Sequence, residues 1–140
     1  MYFGTYRRTI DDKGRLQIPP KLLSDKDEKA LYVLKGFEGC LSVYSEQSYA
    51  ELLGKLSSLS FTDPSSRAYI RVATASLVQM KIDGHGRISL GRELLDRYSI
   101  AGEVVLVGVL DHFEIWEPKH YDEYFAESEA NFEKLASESR

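Results

Sequence analysis

A short segment near the start of the chain occurs a second time 72 residues later. The first copy reads Ile10-Asp11-Asp12-Lys13-Gly14-Arg15-Leu16, and the second reads Ile82-Asp83-Gly84-His85-Gly86-Arg87-Ile88. The register continues without a gap through pairs of identical residues: Leu22/Leu94, Leu23/Leu95, Val33/Val105, Gly36/Gly108 and Tyr49/Tyr121. Chance similarity between two β-rich stretches would rarely keep both the register and the Asp-x-x-Gly-Arg core. We therefore interpret the 140 residues as two copies of one folding unit in tandem.

The composition is typical of a globular protein, with 43% hydrophobic and 29% charged residues. The length suits one domain or two small halves that share a core. The single cysteine, Cys40, excludes an internal disulfide and favours a reducing compartment, which we expect to be the cytoplasm. No signal-peptide pattern opens the chain and no apolar run has the length of a membrane span, so we expect no membrane partner.

Charge is distributed unevenly along the chain, although the net charge is only −4. Residues 1–24 carry five basic and two acidic side chains, whereas residues 117–140 carry seven acidic and three basic ones. Such asymmetry favours a polyanion as partner for the basic end, with the acidic end facing away from it.

Turn residues and apolar alternation divide both halves into the same elements. Each half should contain a strand, the Asp-x-x-Gly-Arg turn, a short strand, a short helix, a hairpin and a longer helix. We assign residues 1–60 to the first repeat with its following helix, 61–76 to a linking helix and 77–140 to the second repeat with its C-terminal helix. Asp63-Pro64 should begin the linking helix, with Tyr69, Val72 and Ala73 facing inward. Residues 118–136 should form one continuous helix with a regular apolar stripe.

The predicted fold is mixed α/β and rich in β-structure. Each half alone would be a thin sheet with open edges, which is marginally stable. We expect the two halves to pack face to face as an intrachain pseudo-dimer that closes one small β-barrel, with flanking helices.

The repeated loops carry the chemistry. Arg15 and Arg87 follow the turns at the starts of strands, where a guanidinium group can bind phosphate or the edge of guanine with two hydrogen bonds. Asp11 and Asp83, four residues earlier, can orient each arginine or accept hydrogen bonds from the loop backbone. The glycines that shape the two turns are Gly14 and Gly86. An alternative is that each Asp–Arg pair only stabilises its turn.

Other basic residues favour DNA contact over this alternative. We expect a basic face around the two loops, to which these residues belong: Arg7, Arg8, Lys13, Lys21, His85 and Arg92. Arg67 and Arg71 share one face of the linking helix, where solvation or contact with acidic neighbours is a better interpretation than DNA binding.

Little in the sequence suggests an enzyme active site. Cys40 and His112 occupy matching positions of the repeat, which symmetry would hold apart, and nothing supplies the orienting partner that a nucleophilic pair needs. The three histidines lack a standard metal-ligand spacing, and we expect neither cofactor nor metal.

The ordered set of motifs resembles the MraZ family of bacterial transcriptional regulators, over nearly the whole chain. The matching segments are Gly4-Thr5-Tyr6, Ile10 to Pro19, Arg67-x-Tyr69-x-Arg71, Asp83-x-x-Gly86-Arg87-Ile88 and Glu114-Ile115-Trp116. The resemblance implies two tandem domains of the SpoVT–AbrB and MazE type, built from swapped β-hairpins. It also implies a ring-shaped homo-oligomer, commonly of eight chains.

The resemblance further implies a function at double-stranded DNA. Members of the family bind short direct repeats at the promoter of the division and cell-wall gene cluster, usually as repressors, and associate with the nucleoid. Their DNA-contacting positions correspond to Lys13 and Arg15 and, through the repeat, to His85 and Arg87. Because His85 stands where a lysine would match Lys13, and histidine is largely neutral near pH 7, we expect the first loop to bind DNA more tightly.

We therefore predict a sequence-specific DNA-binding transcriptional regulator that is not an enzyme. A second hypothesis is an antitoxin-like protein-interaction module of the same barrel type, whose C-terminal segment would fold on a partner. The apolar stripe of residues 118–136 favours a docked helix over such an arm.

Overall fold

A computed structural model describes residues 1–25 and 27–140. The described residues form eight strands: β1 (Thr5–Thr9), β2 (Arg15–Gln17), β3 (Ala30–Lys35), β4 (Leu41–Tyr44), β5 (Val78–Lys81), β6 (Arg87–Ser89), β7 (Glu103–Gly108) and β8 (Phe113–Trp116). The helices are α1 (Glu46–Ser57), α2 (Pro64–Ser76), α3 (Arg92–Arg97), α4 (Pro118–Ala130) and α5 (Phe132–Glu138), with a 3-10 turn at Pro20–Leu22. None of the helices in the described ranges combines the length and hydropathy of a membrane-spanning segment.

Three of the longer helices begin where local chemistry fixes their first turn. Ser45 and Ser48 form a reciprocal capping box at the start of α1. Asp63 accepts a hydrogen bond from the backbone of Ser66, and Glu117 caps α4 in the same way. A proline follows each of these two acidic caps, at the first helical position, where the missing N–H costs nothing.

The strands of the two repeats exchange partners. The main sheet has the order β1-β7-β8-β4-β3-β5, so the first strand of each repeat pairs with the third strand of the other repeat. Strands β4 and β8, which correspond by the repeat, pair with each other at the centre. The halves are therefore joined through main-chain hydrogen bonds, and neither half keeps a sheet of its own.

The mixed α/β, β-rich fold is as predicted, but the closed barrel is not what the described strands form. Their pairing is an open six-stranded sheet that ends at β1 and β5, together with a separate two-stranded ribbon, β2-β6. The strands of the ribbon have three residues each and pair only with one another within residues 1–25 and 27–140, so they do not connect the two edges.

One hydrophobic core serves both repeats. Leu16 and Ile18 from the first half are fully buried in the same cluster as Ile88 and Val104 from the second. Because burying an aliphatic side chain stabilises a fold by about 1.5–3 kcal/mol, this shared cluster couples the stability of the halves.

Two details of the helices differ from the sequence-based expectation. Of the three residues predicted to face inward, only Ala73 is buried, whereas Tyr69 and Val72 are 41% and 52% exposed. The reason is that α2 packs on β3 through only a narrow strip of its surface. The C-terminal segment is two helices rather than one. Asn131 interrupts it with non-helical backbone angles, and its side-chain amide donates to the carbonyl of Glu127, which is the competition typical of asparagine inside helices.

Candidate nucleic-acid interface

The two repeated loops lie at opposite ends of the β2-β6 ribbon. The ribbon is antiparallel, with Arg15 opposite Ser89, Leu16 opposite Ile88 and Gln17 opposite Arg87. Leu16 and Ile88 are fully buried. Because side chains alternate along a strand, the other four residues share the opposite, outward face.

Arg15 and Arg87 are diagonal neighbours on this outward face. Such neighbours in an antiparallel pair have Cα atoms roughly 7–8 Å apart. The repeat thus brings its two arginines close together on one polar surface, with Gln17 and Ser89 between them. The sequence alone predicted both arginines at strand starts, but not their proximity.

The first loop is organised around the carboxylate of Asp11. Its Oδ1 accepts the backbone N–H groups of Lys13 (2.9 Å) and Arg15 (2.8 Å), and its Oδ2 accepts the Nε–H of Arg15 (2.7 Å). The backbone N–H of Gly14 donates to the carbonyl of Asp11 at 3.0 Å. These bonds, of which the one from the backbone of Arg15 has the largest effect, lower the pKa of Asp11.

The second loop repeats this arrangement atom for atom. Oδ1 of Asp83 accepts the backbone N–H groups of His85 (2.8 Å) and Arg87 (3.0 Å), and Oδ2 accepts the Nε–H of Arg87 (2.9 Å). The pKa of Asp83 falls to about 2, chiefly through the hydrogen bond from the backbone of Arg87. Both roles proposed for these carboxylates, orienting the arginine and accepting from the loop backbone, are therefore present together.

A glycine with left-handed backbone angles is required in each turn. Gly14 has φ of +78° and Gly86 has φ of +77°, a region that side chains bearing a Cβ rarely adopt. Each loop then reaches the opposite repeat: the backbone N–H of Ile18 donates to the carbonyl of Gly86, and that of Leu90 donates to the carbonyl of Gly14. Both turns are consequently held on the ribbon from two sides.

The arginines retain most of their hydrogen-bonding capacity. Each uses Nε for its aspartate, and within the described residues Nη1 and Nη2 of Arg15 and Arg87 make no hydrogen bond to the protein. The side chains are 32% and 26% exposed, so they are half-buried and fixed in orientation but not sequestered. An oriented guanidinium with four remaining N–H donors is suited to phosphate or a guanine edge.

The other predicted site residues fall into two groups. Lys13 and His85 are exposed at the tips of the loops, and Lys21 is exposed on the 3-10 turn that follows β2. Arg7 forms an ion pair with Asp122 of α4 at 2.6 Å, and Arg8 lies over the ring of Tyr6. Arg7 would have to exchange a carboxylate for a phosphate in order to contact DNA, and its role stays a prediction.

Gln17 is the residue that sequence reasoning missed. Its side-chain amide donates to the carbonyl of His85 at 2.7 Å, and so connects the first ribbon strand to the tip of the second loop. The available signal was its position, since it is the polar residue two places after Arg15 on an alternating strand.

The pair considered for nucleophilic chemistry is engaged elsewhere. Cys40 is buried and its Sγ–H donates to the carbonyl of Phe37 at 3.2 Å, while burial raises the pKa of its thiol. His112 Nδ1 lies 2.7 Å from Oδ1 of Asp111 and its ring stacks on Tyr44. A thiol of raised pKa is a weak nucleophile at neutral pH.

A protein-family model and several known proteins match nearly the whole chain. The family model described as "MraZ protein, putative antitoxin-like" matches residues 1–72 and 75–139. The chain belongs to the MraZ family. A relative named "Transcriptional regulator MraZ" in Moorella thermoacetica is 39% identical over 136 residues, which cover 97% of this chain and 94% of the relative.

Two further relatives with the same name show similar agreement. The one from Desulforamulus reducens is 37% identical over 136 residues, covering 97% of this chain and 95% of the relative. The one from Corynebacterium kroppenstedtii is 35% identical over 132 residues, covering 94% and 92%. The MraZ relatives thus share nearly their full length with this chain, and their name describes transcriptional regulation.

Proposed function

We propose that this MraZ-family chain is a sequence-specific DNA-binding regulator whose two Asp-x-x-Gly-Arg loops contact double-stranded DNA. The observation that carries the proposal is the outward face of the β2-β6 ribbon, where Arg15 and Arg87 are fixed by aspartates and their Nη groups make no hydrogen bond to the described residues. A two-stranded ribbon is one of the elements that the major groove of B-DNA admits. The exposed Lys13 and His85 at the loop tips extend the same surface.

The two loops have different strengths in this proposal. The first loop has a lysine at its tip where the second has a histidine, and of these two residue types lysine is ordinarily charged near pH 7 whereas histidine is largely neutral. The first loop therefore makes the stronger contact with the phosphate backbone. The second loop orients Arg87 toward the bases or phosphates nearby.

A single chain neutralises few phosphates, so its affinity is modest and depends strongly on salt. Assembly raises affinity by presenting several ribbons to successive DNA repeats. The open sheet edge at β1 supports self-association, because an edge strand presents main-chain groups that a second copy can bind. Exposed apolar residues such as Phe125 of α4 and Phe132 of α5 offer further contact area.

The proposed target is the one that the resemblance to the family implies. We propose that the chain acts in the cytoplasm on the nucleoid. It would assemble into a ring, commonly of eight copies, that binds short direct repeats at the promoter of the division and cell-wall gene cluster and represses it. A footprint on the DNA upstream of its own gene, with the native mass of the free protein, tests the target and the ring together.

The decisive experiment compares the native protein with Arg15→Ala on that upstream DNA by gel shift or fluorescence anisotropy. Asp11 keeps its two backbone hydrogen bonds when the Arg15 side chain is removed, so the loop should keep its shape. Binding should be lost while the far-UV spectrum, melting temperature and native mass stay unchanged. Lys134→Ala, on the exposed face of α5, is the control and should bind normally. Undiminished binding by Arg15→Ala would remove the proposed mechanism.

The antitoxin-like module is the weaker candidate. Its C-terminal segment would have to be unstructured without a partner, yet α4 begins at a capped proline and docks Tyr121 against Trp116. If a toxin-like protein co-purified in stoichiometric amount through contacts with α4 and α5, and the chain did not bind DNA, the antitoxin-like function would become the better candidate.

A further inference from the structure

A basic groove extends from the ribbon across the surface between α2 and α3. Its wider part, of about 670 Å³, begins at Ser89 of β6 and continues along Arg92 and Arg97 of α3. Its narrower part, of about 400 Å³, is lined by Lys35 of β3, Arg71 of α2 and Arg97. The two parts have Arg97 and residues 75–76 in common, so they form one continuous depression.

The narrower part gathers three positive charges from three separate elements. Lys35, Arg71 and Arg97 all line it, and its lining contains no carboxylate. Lys35 lies over the ring of Tyr98 at 5.9 Å and Arg71 over the ring of Phe61 at 5.6 Å. Cation–π contact orients these side chains without neutralising their charge.

Intramolecular ion pairs satisfy little of this charge. Within residues 1–25 and 27–140, neither Lys35 nor Arg71 has a carboxylate within ion-pair distance. Arg97 has a single 3.5 Å contact to Glu93, whose side chain is 90% exposed and therefore strongly screened. The groove is thus an electropositive surface whose chemistry is complementary to phosphate.

Among the described residues the groove has no equivalent beside the other ribbon strand, although the two strands of the ribbon correspond by the repeat. The repeat counterpart of Lys35 is Val107, and that of Arg97 is Asp25. Arg92 corresponds to Pro20. Lys35, Arg92 and Arg97 therefore have no basic counterparts on the other side of the ribbon, where the positive side chains are Lys21, Arg8 and the ion-paired Arg7. Ser89, where the groove begins, lies opposite Arg15 of the first loop.

We propose that this groove holds the sugar–phosphate backbone of the duplex contacted by the ribbon, and that its one-sidedness gives the chain a single direction on DNA. The inference rests on the proposed function. Backbone contacts fix register and orientation without reading bases. Two equivalent loops would bind a site equally well in either direction. The unequal loop tips, Lys13 and His85, already weaken that equivalence, and a flanking groove on one side adds a backbone contact that favours one of the two directions.

The test is the salt dependence of DNA binding by the double variant Lys35→Gln/Arg97→Gln. Each lost phosphate contact lowers the slope of log Kobs against log salt by about 0.9, so the double variant should lose up to about 1.8 for each engaged chain. Affinities for the upstream DNA and for a scrambled duplex should fall by the same factor, since the contact is independent of sequence. Lys134→Gln/Arg140→Gln removes the same charge from the exposed C-terminal end and should leave the slope unchanged.

A hydroxyl-radical footprint on a duplex with one repeat tests the direction. The native protein should protect backbone sugars on one side beyond the segment protected by the ribbon, and Lys35→Gln/Arg97→Gln should lose that extension alone. An unchanged slope, or protection extending equally on both sides, would overturn the inference. The inference would also be overturned if the double variant had an altered native mass without DNA and an unchanged salt slope, because the groove would then be a contact between copies of the chain. Failure of the native protein to bind DNA at all would instead remove the proposed function.

Discussion

Gln17 stands directly opposite Arg87 in the ribbon, and its side-chain amide donates a hydrogen bond to the carbonyl of His85, one position before the turn glycine Gly86. A strand of the first repeat thereby supports the loop of the second. The repeat counterpart of Gln17 is Ser89, whose hydroxyl makes no such bond to the first loop among the described residues. The two loops have matching internal hydrogen bonds, but among the described residues only the second loop accepts a hydrogen bond from this ribbon position of the other repeat.

Gln17→Ala should therefore affect the second loop more than the first. We expect a loss of stability of about 0.5–1.5 kcal/mol, which is the typical net contribution of one hydrogen bond, with increased exchange of amide protons around His85. DNA affinity should fall modestly, because Arg87 becomes less well oriented. Ser89→Ala is the matched control at the equivalent position. Amide exchange that changes equally in both loops, or in neither, would contradict the asymmetry.

The Asp83 carboxylate should make the second loop sensitive to acid. Its pKa is about 2 in the folded loop against an ordinary value of 3.8, so it stays charged in the folded chain after it is protonated in the unfolded chain. The resulting stabilisation is complete above the ordinary value and is lost as the pH falls from about 4 to about 2. Carboxyl titration by NMR measures the pKa directly.

Asp83→Asn checks the same point by removing the charge. The variant should be less stable at neutral pH, and its stability should depend less on pH between about 4 and 2 than that of the native chain. Asp12→Asn is the control, because among the described residues the Asp12 carboxylate accepts none of the hydrogen bonds that hold the first loop. If both substitutions reduce the pH dependence of stability in acid by the same amount, the Asp83 carboxylate has no special role in its loop.

Local signals in the sequence were sufficient to predict much of this molecule. Asp63 followed by proline predicted where the linking helix begins, and α2 begins at Pro64 with Asp63 as its cap. The Asp-x-x-Gly-Arg spacing predicted the interactions of both loop aspartates, because all the atoms involved lie within five residues. Interactions of this range are determined by residue type and spacing.

Features set by distant contacts were not predictable in the same way. The exchange of strands between repeats depends on which of several similar strands pair, and hydrophobic alternation does not distinguish them, so only the resemblance to the family suggested swapped hairpins. Tyr69 was expected inside because of its helical spacing, but it stacks on the exposed Phe37 at the edge of the molecule. The groove at Lys35 and Arg97 joins residues more than 60 positions apart, so no local pattern could show it.

Gly86→Ala should distort the second turn. A Cβ at φ of +77° costs about 1–2 kcal/mol, and the added atom would also lie 3.0 Å from Nε2 of Gln17. We expect that loss of stability together with weaker DNA binding, measured by denaturation and anisotropy. Gly84→Ala, two residues earlier in the same loop, adds a Cβ with no neighbour within 4 Å and should be tolerated. Equal effects of the two substitutions would show that turn geometry is not what matters.

Leu16→Ala tests whether the ribbon couples the two repeats. Leu16 is fully buried next to Ile88 in the core that both halves share, so its truncation should cost about 2–5 kcal/mol. Leu53→Ala on α1, where the side chain is 39% exposed, should cost less. Because strands of each repeat pair with the other, the loss should appear in one cooperative urea transition of unchanged slope. Two separate transitions, with only the first repeat destabilised, would mean that the repeats fold independently and that the ribbon is not part of a common core.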